Sequence, residues 1–313
     1  MVAGNSDRGL AWPYLLRPIP GECATDVSSV YGYPGPLAWG LSPGDRFLAQ
    51  ASMQIAATWR EQGVVSAFTR FHPLLHNAWL ATSFNELIGS DVTCPTLVPR
   101  GETVSIDCTL DDDEALAGYA KVLRQEVASA RRSGLLTTED EGWSSLDVFV
   151  RLYRATMDRS GAAQRYYIDG DGVLRLRDLL NGRLHLLVTR LDDVVAAACL
   201  FTEHGGIVQA FLVGTNEQMR ALSPLKVLLD DARRWARARG SSVLHLGGGR
   251  AGRHDSLFAF KKRFSPRRHQ FYTGQWVLDA GRYNRLSQES AARGLANTGG
   301  FFPTYRGSSH EAW

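Results

Sequence analysis

Hydrophobic positions along this chain change period at recognisable points. From Pro43 to about Gln62, the residues Phe47, Leu48, Ala51, Ile55 and Ala56 keep the three-and-four spacing of an amphipathic helix, and residues 64–71 then read as an apolar strand. VTCPTLVPR (92–100) and ETVSIDCTL (102–110) predict two strands joined at Arg100-Gly101. The acids of residues 111–114 open a long helix that runs to about Arg132, before Gly134, so that charge at both ends agrees with the helix dipole. Residues 144–157 and 173–180 read as helices. Three strands follow, RLHLLVTRL, DVVAAACLFTEH and IVQAFLVGT, with turns at Asp192-Asp193 and Gly205-Gly206, which is an antiparallel meander. Ser223-Pro224 begins a basic helix, with serine at its cap, that stops at Gly240. SVLHL is a strand, residues 247–249 a glycine loop, residues 255–264 a short helix and residues 270–278 a last strand. By contrast, residues 1–25 show no periodicity, and YGYPGPLAWG (31–40) predicts an ordered loop.

This order of elements is that of an α/β sandwich on a mixed sheet, and the helix and strands of the first half predict another lobe of similar size. The expected division is residues 1–130, residues 131–279, and a C-terminal helix and tail over 280–313. The tail segment NTGGFFPTYRGS (297–308) is too aromatic for a free linker, so Phe301, Phe302 and Tyr305 are expected to dock on the body.

Composition adds limits. No apolar run approaches the roughly 18 residues that cross a bilayer, and the N-terminus carries proline and charges where a secretory signal needs an apolar core, so the expectation is a cytoplasmic protein. Cys23, Cys94, Cys108 and Cys199 are widely spaced, without the pairing of a disulfide framework or a zinc ribbon. His72 and His76 have the spacing of a helical metal pair, but Pro73 follows the first and no acidic third ligand is evident, so no metal site is expected. No nucleophile elbow, phosphate loop or dinucleotide fingerprint supports a hydrolase, nucleotidase or dehydrogenase.

Charge is distributed unevenly. Residues 217–268 hold thirteen Lys and Arg against four acids, a net of +9, so with a total of +3 the remainder is −6. Such a stripe fits a polyanionic ligand on one face, and also an ordinary solvated surface. Only four of the 35 basic residues are lysines: Lys121, Lys226, Lys261 and Lys262. Arginine is a wide planar fork and lysine a compact point charge, so the adjacent Lys261 and Lys262 stand out as candidates for a site that must place one ammonium beside a small developing charge.

The order of elements over residues 183–279 is the order found in GNAT acyltransferases, whose acetyl-CoA pyrophosphate sits on a glycine-rich loop at the start of the central helix. Here that loop is GTNEQMRALSPL (214–225), without glycine near the helix start and with Pro224 removing an N–H. The segments QAFLVGTN, SSVLHLGGG, SLFAFKKRF and FYTGQWVLD, preceded by VLRQEVASARRSGLL and FVRLYRATMDRSG, resemble the second lobe of the Fem family, the aminoacyl-tRNA-dependent peptidyltransferases of bacterial cell-wall synthesis. The match covers roughly residues 120–280, and FKKRF is its most specific part.

The resemblance implies two GNAT-like lobes, each a mixed, mostly antiparallel sheet flanked by helices, with a substrate channel between them. It implies attack of an acceptor amine on the ester carbonyl of an aminoacyl-tRNA, an acceptor of cell-wall-precursor or peptide-like type, and no cofactor beyond the tRNA co-substrate. Lys261 falls at the family's lysine, where a cation would stabilise the oxyanion, and Phe260 beside it would shape the wall. Arg159 and Phe211 fall near where the family binds its acceptor, Tyr166 and Tyr167 are candidates either to line the channel or to pack, and Gly247, Gly248 and Gly249 would let a substrate backbone or a phosphate approach closely. Phe211 cannot donate the hydrogen bond that the family's aromatic hydroxyl supplies there. The glycines equally serve a strand-to-helix turn. Lys262, Arg263, Arg267, Arg268 and Arg234 would meet the tRNA. No general base is evident. A CoA-dependent N-acyltransferase, with acyl-CoA as donor, and a non-catalytic RNA-binding protein are the other two readings that this fold allows.

Overall fold

The computed structural model describes residues 1–88, 97–294 and 301–306. In chain order, β1 (Val2–Gly4), β2 (Gly9–Ala11), β3 (Leu15–Pro18), β4 (Thr25–Ser28) and β5 (Leu37–Trp39) precede α1 (Arg46–Glu61), β6 (Val64–Arg70), α2 (Leu80–Ile88) and β7 (Leu97–Asp107). Then come α3 (Asp112–Ala117), α4 (Lys121–Arg132), β8 (Leu136–Glu139), α5 (Leu146–Ser160) and α6 (Gly170–Leu180). The meander is β9 (Leu184–Leu191), β10 (Val194–His204) and β11 (Ile207–Thr215), followed by α7 (Pro224–Ala238), β12 (Val243–Gly248), α8 (Ser256–Lys261), β13 (Arg268–Val277) and α9 (Ala280–Ala292).

The chain forms two compact units that interleave in sequence: Met1–Glu102 with His269–Trp313, and Thr103–Arg268. In the first unit β3, β4, β6 and β13 lie side by side, with β4 and β6 parallel and the other pairs antiparallel. One face of this sheet carries a core of Trp12, Trp59, Phe84 and Trp276 with α1 and α2. The other face carries Ile19, Val65, Phe68, Val277 and Tyr283. Phe302 packs into that second cluster, and the Tyr305 hydroxyl lies 2.8 Å from Ser66 Oγ. Buried Asp26 accepts from Arg17 at 2.7 Å and from Arg306, so the described tail residues are held by burial and by charge together.

In the second unit the order is β7, β12, β11, β10, β9, β8, antiparallel throughout except for β11 and β12. The meander strands read as nearly unbroken apolar runs because both faces are covered. Leu187, Ala197, Cys199 and Phe201 point to the core under α4 and α7, whereas Leu186, Val188, Ala198 and Leu200 point to the core under α5 and α6. The parallel pair exists because the crossover through α7 returns the chain in the same direction.

Four expectations are corrected. Residues 1–25 are not irregular but form short strands, too brief to show a period, whose registers are set by distant partners such as Thr25 on Val64. Arg100-Gly101 is not a turn, and β7 runs straight through it; residues 92–96 of the expected first strand lie outside the described residues. The long helix after Asp111 is two helices: Asp111 and Glu114 make a capping box for α3, and the chain breaks before α4 so that Tyr119 enters the core and donates to buried Asp230 at 3.0 Å. Ser223 makes no side-chain cap. It sits at φ +59°, and its Oγ accepts instead from Lys226 Nζ at 3.0 Å.

Candidate active site

The parallel strands β11 and β12 pair at Ile207↔Val243, Val208↔Leu244 and Gln209↔His245. Beyond this each strand skips a residue against its other neighbour, Phe211 against β10 and Leu246 against β7. The β11–β12 pairing ends at Gln209 and His245, just before the two bulges, where an unpaired residue bends a strand and increases its twist. The carboxyl ends of parallel strands are also where open α/β sheets hold their ligands. Phe211 stands at one bulge, and Gly247 and Gly248 follow the other, whose Leu246 side chain is buried in the core.

Lys261 ends α8 and reaches back to this edge. Its ammonium donates to Gly248 O at 2.7 Å. As a residue it is intermediate in exposure, but burial of the ammonium pulls its pKa down to about 8, against the opposing charges of Asp255 and of the Cys199 thiol when ionised. Cys199 is itself fully buried, and desolvation pushes its thiol up, so it is neutral beside the lysine. The site thus holds one desolvated ammonium. Phe260 turns toward the core and meets Phe264 edge-on at 5.4 Å, a neighbour of the lysine on the same helix turn.

The glycine loop is sterically committed. Gly247 has φ +74°, and a Cβ on Gly249 would lie 2.0 Å from Arg253 O and 2.5 Å from Asp255 Oδ1. The loop and α8 are tied by Asp255, whose Oδ1 accepts from Phe258 N at 3.0 Å and whose Oδ2 accepts from Arg250 N at 3.1 Å. Composition and spacing did not single out Asp255 for the site; the signal available was an acid at the first position of a short helix, which is a capping pattern.

The remaining sequence candidates fall in different places. Arg159, on α5, pairs with Glu217 at 3.3 Å and donates to Thr156 Oγ1 at 2.9 Å; the Tyr167 hydroxyl donates to Asp158 Oδ1 at 2.7 Å, and that hydrogen bond, with lesser burial and charge effects, raises its pKa. Neither is shown in contact with the lysine. In the basic stripe, Arg263 is taken by Glu126, Arg267 by Asp107, and Arg234 by Asp112, Asp230 and Asp231. Arg268 donates to the carbonyls of Lys262, Ser265 and Arg267 and lies 5.8 Å over the Phe258 ring, whose stacking partner at 4.4 Å is His254. Exposed Lys262, Arg250 and Arg253 are in no ion pair among the described residues. Among the described residues, seven of the thirteen basic residues of the stripe are thus in ion pairs, and three open charges stand around α8.

The central helix matters for the donor. Pro224 has no N–H, and the Lys226 N–H is spent on Ser223 O at 3.0 Å, so the first turn of α7 keeps little of the anion-binding capacity that an open helix start offers.

Residues 117–262 match the family model described as an acetyltransferase (GNAT) domain. The chain is similar in fold to the crystal structure of FemX, with a TM-score of 0.69 at 13% identity over 91% of this chain and 89% of that one. It is similar to the C-terminal domain of a putative lysylphosphatidylglycerol synthetase from Agrobacterium fabrum, with a TM-score of 0.58 at 15% identity over 91% and 88% of the two chains. It is also similar to L-PGS from Bacillus licheniformis, with a TM-score of 0.52 at 11% identity over 87% and 85%. No curated protein matches it in sequence. These identities establish likeness of fold, and the α/β fold with mixed, mostly antiparallel sheets expected from the sequence is the fold observed.

Proposed function

We propose that this protein is an aminoacyltransferase that moves an amino acid from an aminoacyl-tRNA to an amine acceptor of cell-wall-precursor or peptide-like type, forming an amide. The observation that carries this reading is the Lys261 ammonium, desolvated and held on Gly248 O where β11 and β12 part. The acceptor nitrogen adds to the ester carbonyl, its electron pair forms the C–N bond, and the carbonyl pair moves to oxygen. A cation placed at that oxygen lowers the barrier by about 3 kcal/mol, on the scale of oxyanion-donor deletions. Collapse expels the ribose oxygen of the tRNA, which takes up a proton as the nitrogen loses one. The open charges of Arg250, Arg253 and Lys262 suit the phosphates of an RNA end.

The GNAT domain match favours a CoA-dependent N-acyltransferase as a second reading. Pro224 and the spent Lys226 N–H oppose it, because a pyrophosphate would find few amides at the start of α7. The deciding experiment is transfer of a radiolabelled amino acid from a mixed pool of charged tRNAs to small amines of the source cell, with RNase and acetyl-CoA controls. RNase-sensitive transfer supports the proposal, and transfer of label from acetyl-CoA alone overturns it.

A further inference from the structure

Asp255 does more than an N-cap requires. A serine, threonine or asparagine satisfies the first amides of a helix about as well as an aspartate does. Here both carboxylate oxygens are used, one on Phe258 N inside α8 and the other on Arg250 N in the loop that follows β12. One side chain thereby fixes the lysine-bearing helix against the strand end that carries the Gly248 carbonyl. The Lys261 ammonium donates to the Gly248 carbonyl on β12, and two further groups act on it electrostatically, the Cys199 thiol on β10 and the Asp255 carboxylate at the head of α8. Cys199 is neutral, which leaves Asp255 as the charged group opposing the cost of burying that ammonium, among the described residues. Burial pushes the Asp255 carboxyl up, but the amides of Phe258 and Arg250 and the charge of Arg250 outweigh it and hold the group below its ordinary range, so it is ionised throughout the working range of the lysine.

We propose that Asp255 is a positioning residue for transfer, which acts through Lys261 by fixing α8 on the β12 loop and by placing a counter-charge near the ammonium. This rests on the aminoacyltransferase reading for its catalytic meaning, whereas its effect on the lysine stands apart from it.

With only four lysines in the chain, the Lys261 titration is readable directly by NMR of protein labelled with carbon-13 at lysine Cε. Asp255→Asn and Asp255→Ser keep a cap and remove the charge. In both, the Lys261 midpoint is expected to move down from about 8 while Lys121, Lys226 and Lys262 stay in place. A drop of about one pH unit makes the variant-to-wild-type transfer ratio fall about fivefold between pH 6 and pH 8, since the charged fraction of the lysine is lost. A folded variant whose Lys261 midpoint is unchanged, or a transfer loss equal at every pH, overturns the proposal. If the wild-type protein moves no aminoacyl group at all, the functional reading fails and the NMR titration still decides whether Asp255 governs the lysine. The serine variant guards against a folding defect peculiar to asparagine.

Discussion

The Lys261 side chain passes so close to Gly247 that a Cβ added there would lie 3.3 Å from the lysine Nζ. Gly247 also has φ +74°, a conformation that costs a residue with a side chain roughly 1–2 kcal/mol. Gly247→Ala is therefore expected to lower stability by about that amount and to displace the ammonium from Gly248 O. Thermal unfolding and transfer rates separate the two effects. A loss of transfer of tenfold or more at a temperature where the variant is fully folded supports the geometry, and normal transfer in the folded variant contradicts it.

Replacing the lysine itself separates catalysis from stability. Lys261→Met removes the oxyanion partner and should cost about 10²–10³-fold in transfer. Lys261→Arg should rescue little, because the planar fork cannot reproduce a point charge in the space over Gly247. The folded-state pKa of Lys261, about 8, lies below its ordinary value of 10.5, so the charged lysine opposes folding below pH 8 and this penalty fades as pH rises from 8 to 10.5. The methionine variant should accordingly be at least as stable as wild type at pH 7, with its advantage shrinking toward pH 10. Chemical denaturation at the two pH values tests this, and a methionine variant less stable at pH 7 would argue that the ammonium is a structural fastener.

The same shift sets a limb of the pH profile. If the charged lysine stabilises the oxyanion, transfer falls as pH rises through about 8, while the acceptor amine, which must be neutral to attack, contributes a rising limb at lower pH. A profile of kcat/KM against pH that bends down near 8 in wild type and lacks that bend in Lys261→Met is the expected outcome. A profile that only rises beyond pH 8 would assign the lysine a different role.

Much of this arrangement was readable from the chain. The meander, the basic helix and the FKKRF helix follow from period and from punctuation by glycine and proline, and the scarcity of lysine marks Lys261 and Lys262 together, between which the family resemblance chooses Lys261. The bulges at Phe211 and Leu246 left no trace, because an extra residue in an apolar strand changes no hydrophobic pattern when both faces are buried. Nor did the sequence distinguish open charges from spent ones. Arg263 and Arg267 look the same as Lys262 in a charge count, yet their partners Glu126 and Asp107 lie over a hundred residues away in the chain. The short strands of residues 1–25 were hidden for a related reason, since a three-residue strand is defined by its partner.

One of those hidden partnerships has a large energetic consequence. Asp230 is fully buried and joins α7 to α4 through Arg131 at 2.7 Å, with Arg233 and the Tyr119 hydroxyl on its other oxygen. Asp230→Ala would take one of two anions from Arg131 and one of two from fully buried Arg233, which keep Asp231 and Asp112, and would leave the buried Tyr119 hydroxyl without its acceptor, a change that costs about 1–3 kcal/mol. Equilibrium unfolding should register a loss of that size, whereas Asp231→Ala, whose side chain keeps 16% exposure and holds only Arg131 and Arg234, should cost less.

The open charges make the last prediction, and it is the one that joins the fold to the donor. Arg250, Arg253 and Lys262 are exposed around α8 and are in no ion pair among the described residues; the charge of Arg250 also acts on Asp255, so Arg253 and Lys262 are the cleaner candidates to displace counterions from an RNA phosphate. Binding of a charged-tRNA mimic should weaken linearly as the logarithm of salt concentration rises, and each single change to glutamine should reduce the slope by about 0.7–0.9. Arg263→Gln and Arg267→Gln remove charges already neutralised by Glu126 and Asp107, so they should lower the melting temperature more than they change the slope. Fluorescence anisotropy at several salt concentrations measures both sets. Equal slopes for wild type and for Lys262→Gln would place the RNA elsewhere, and a slope near zero for wild type would remove the polyanion and favour the acyl-CoA reading.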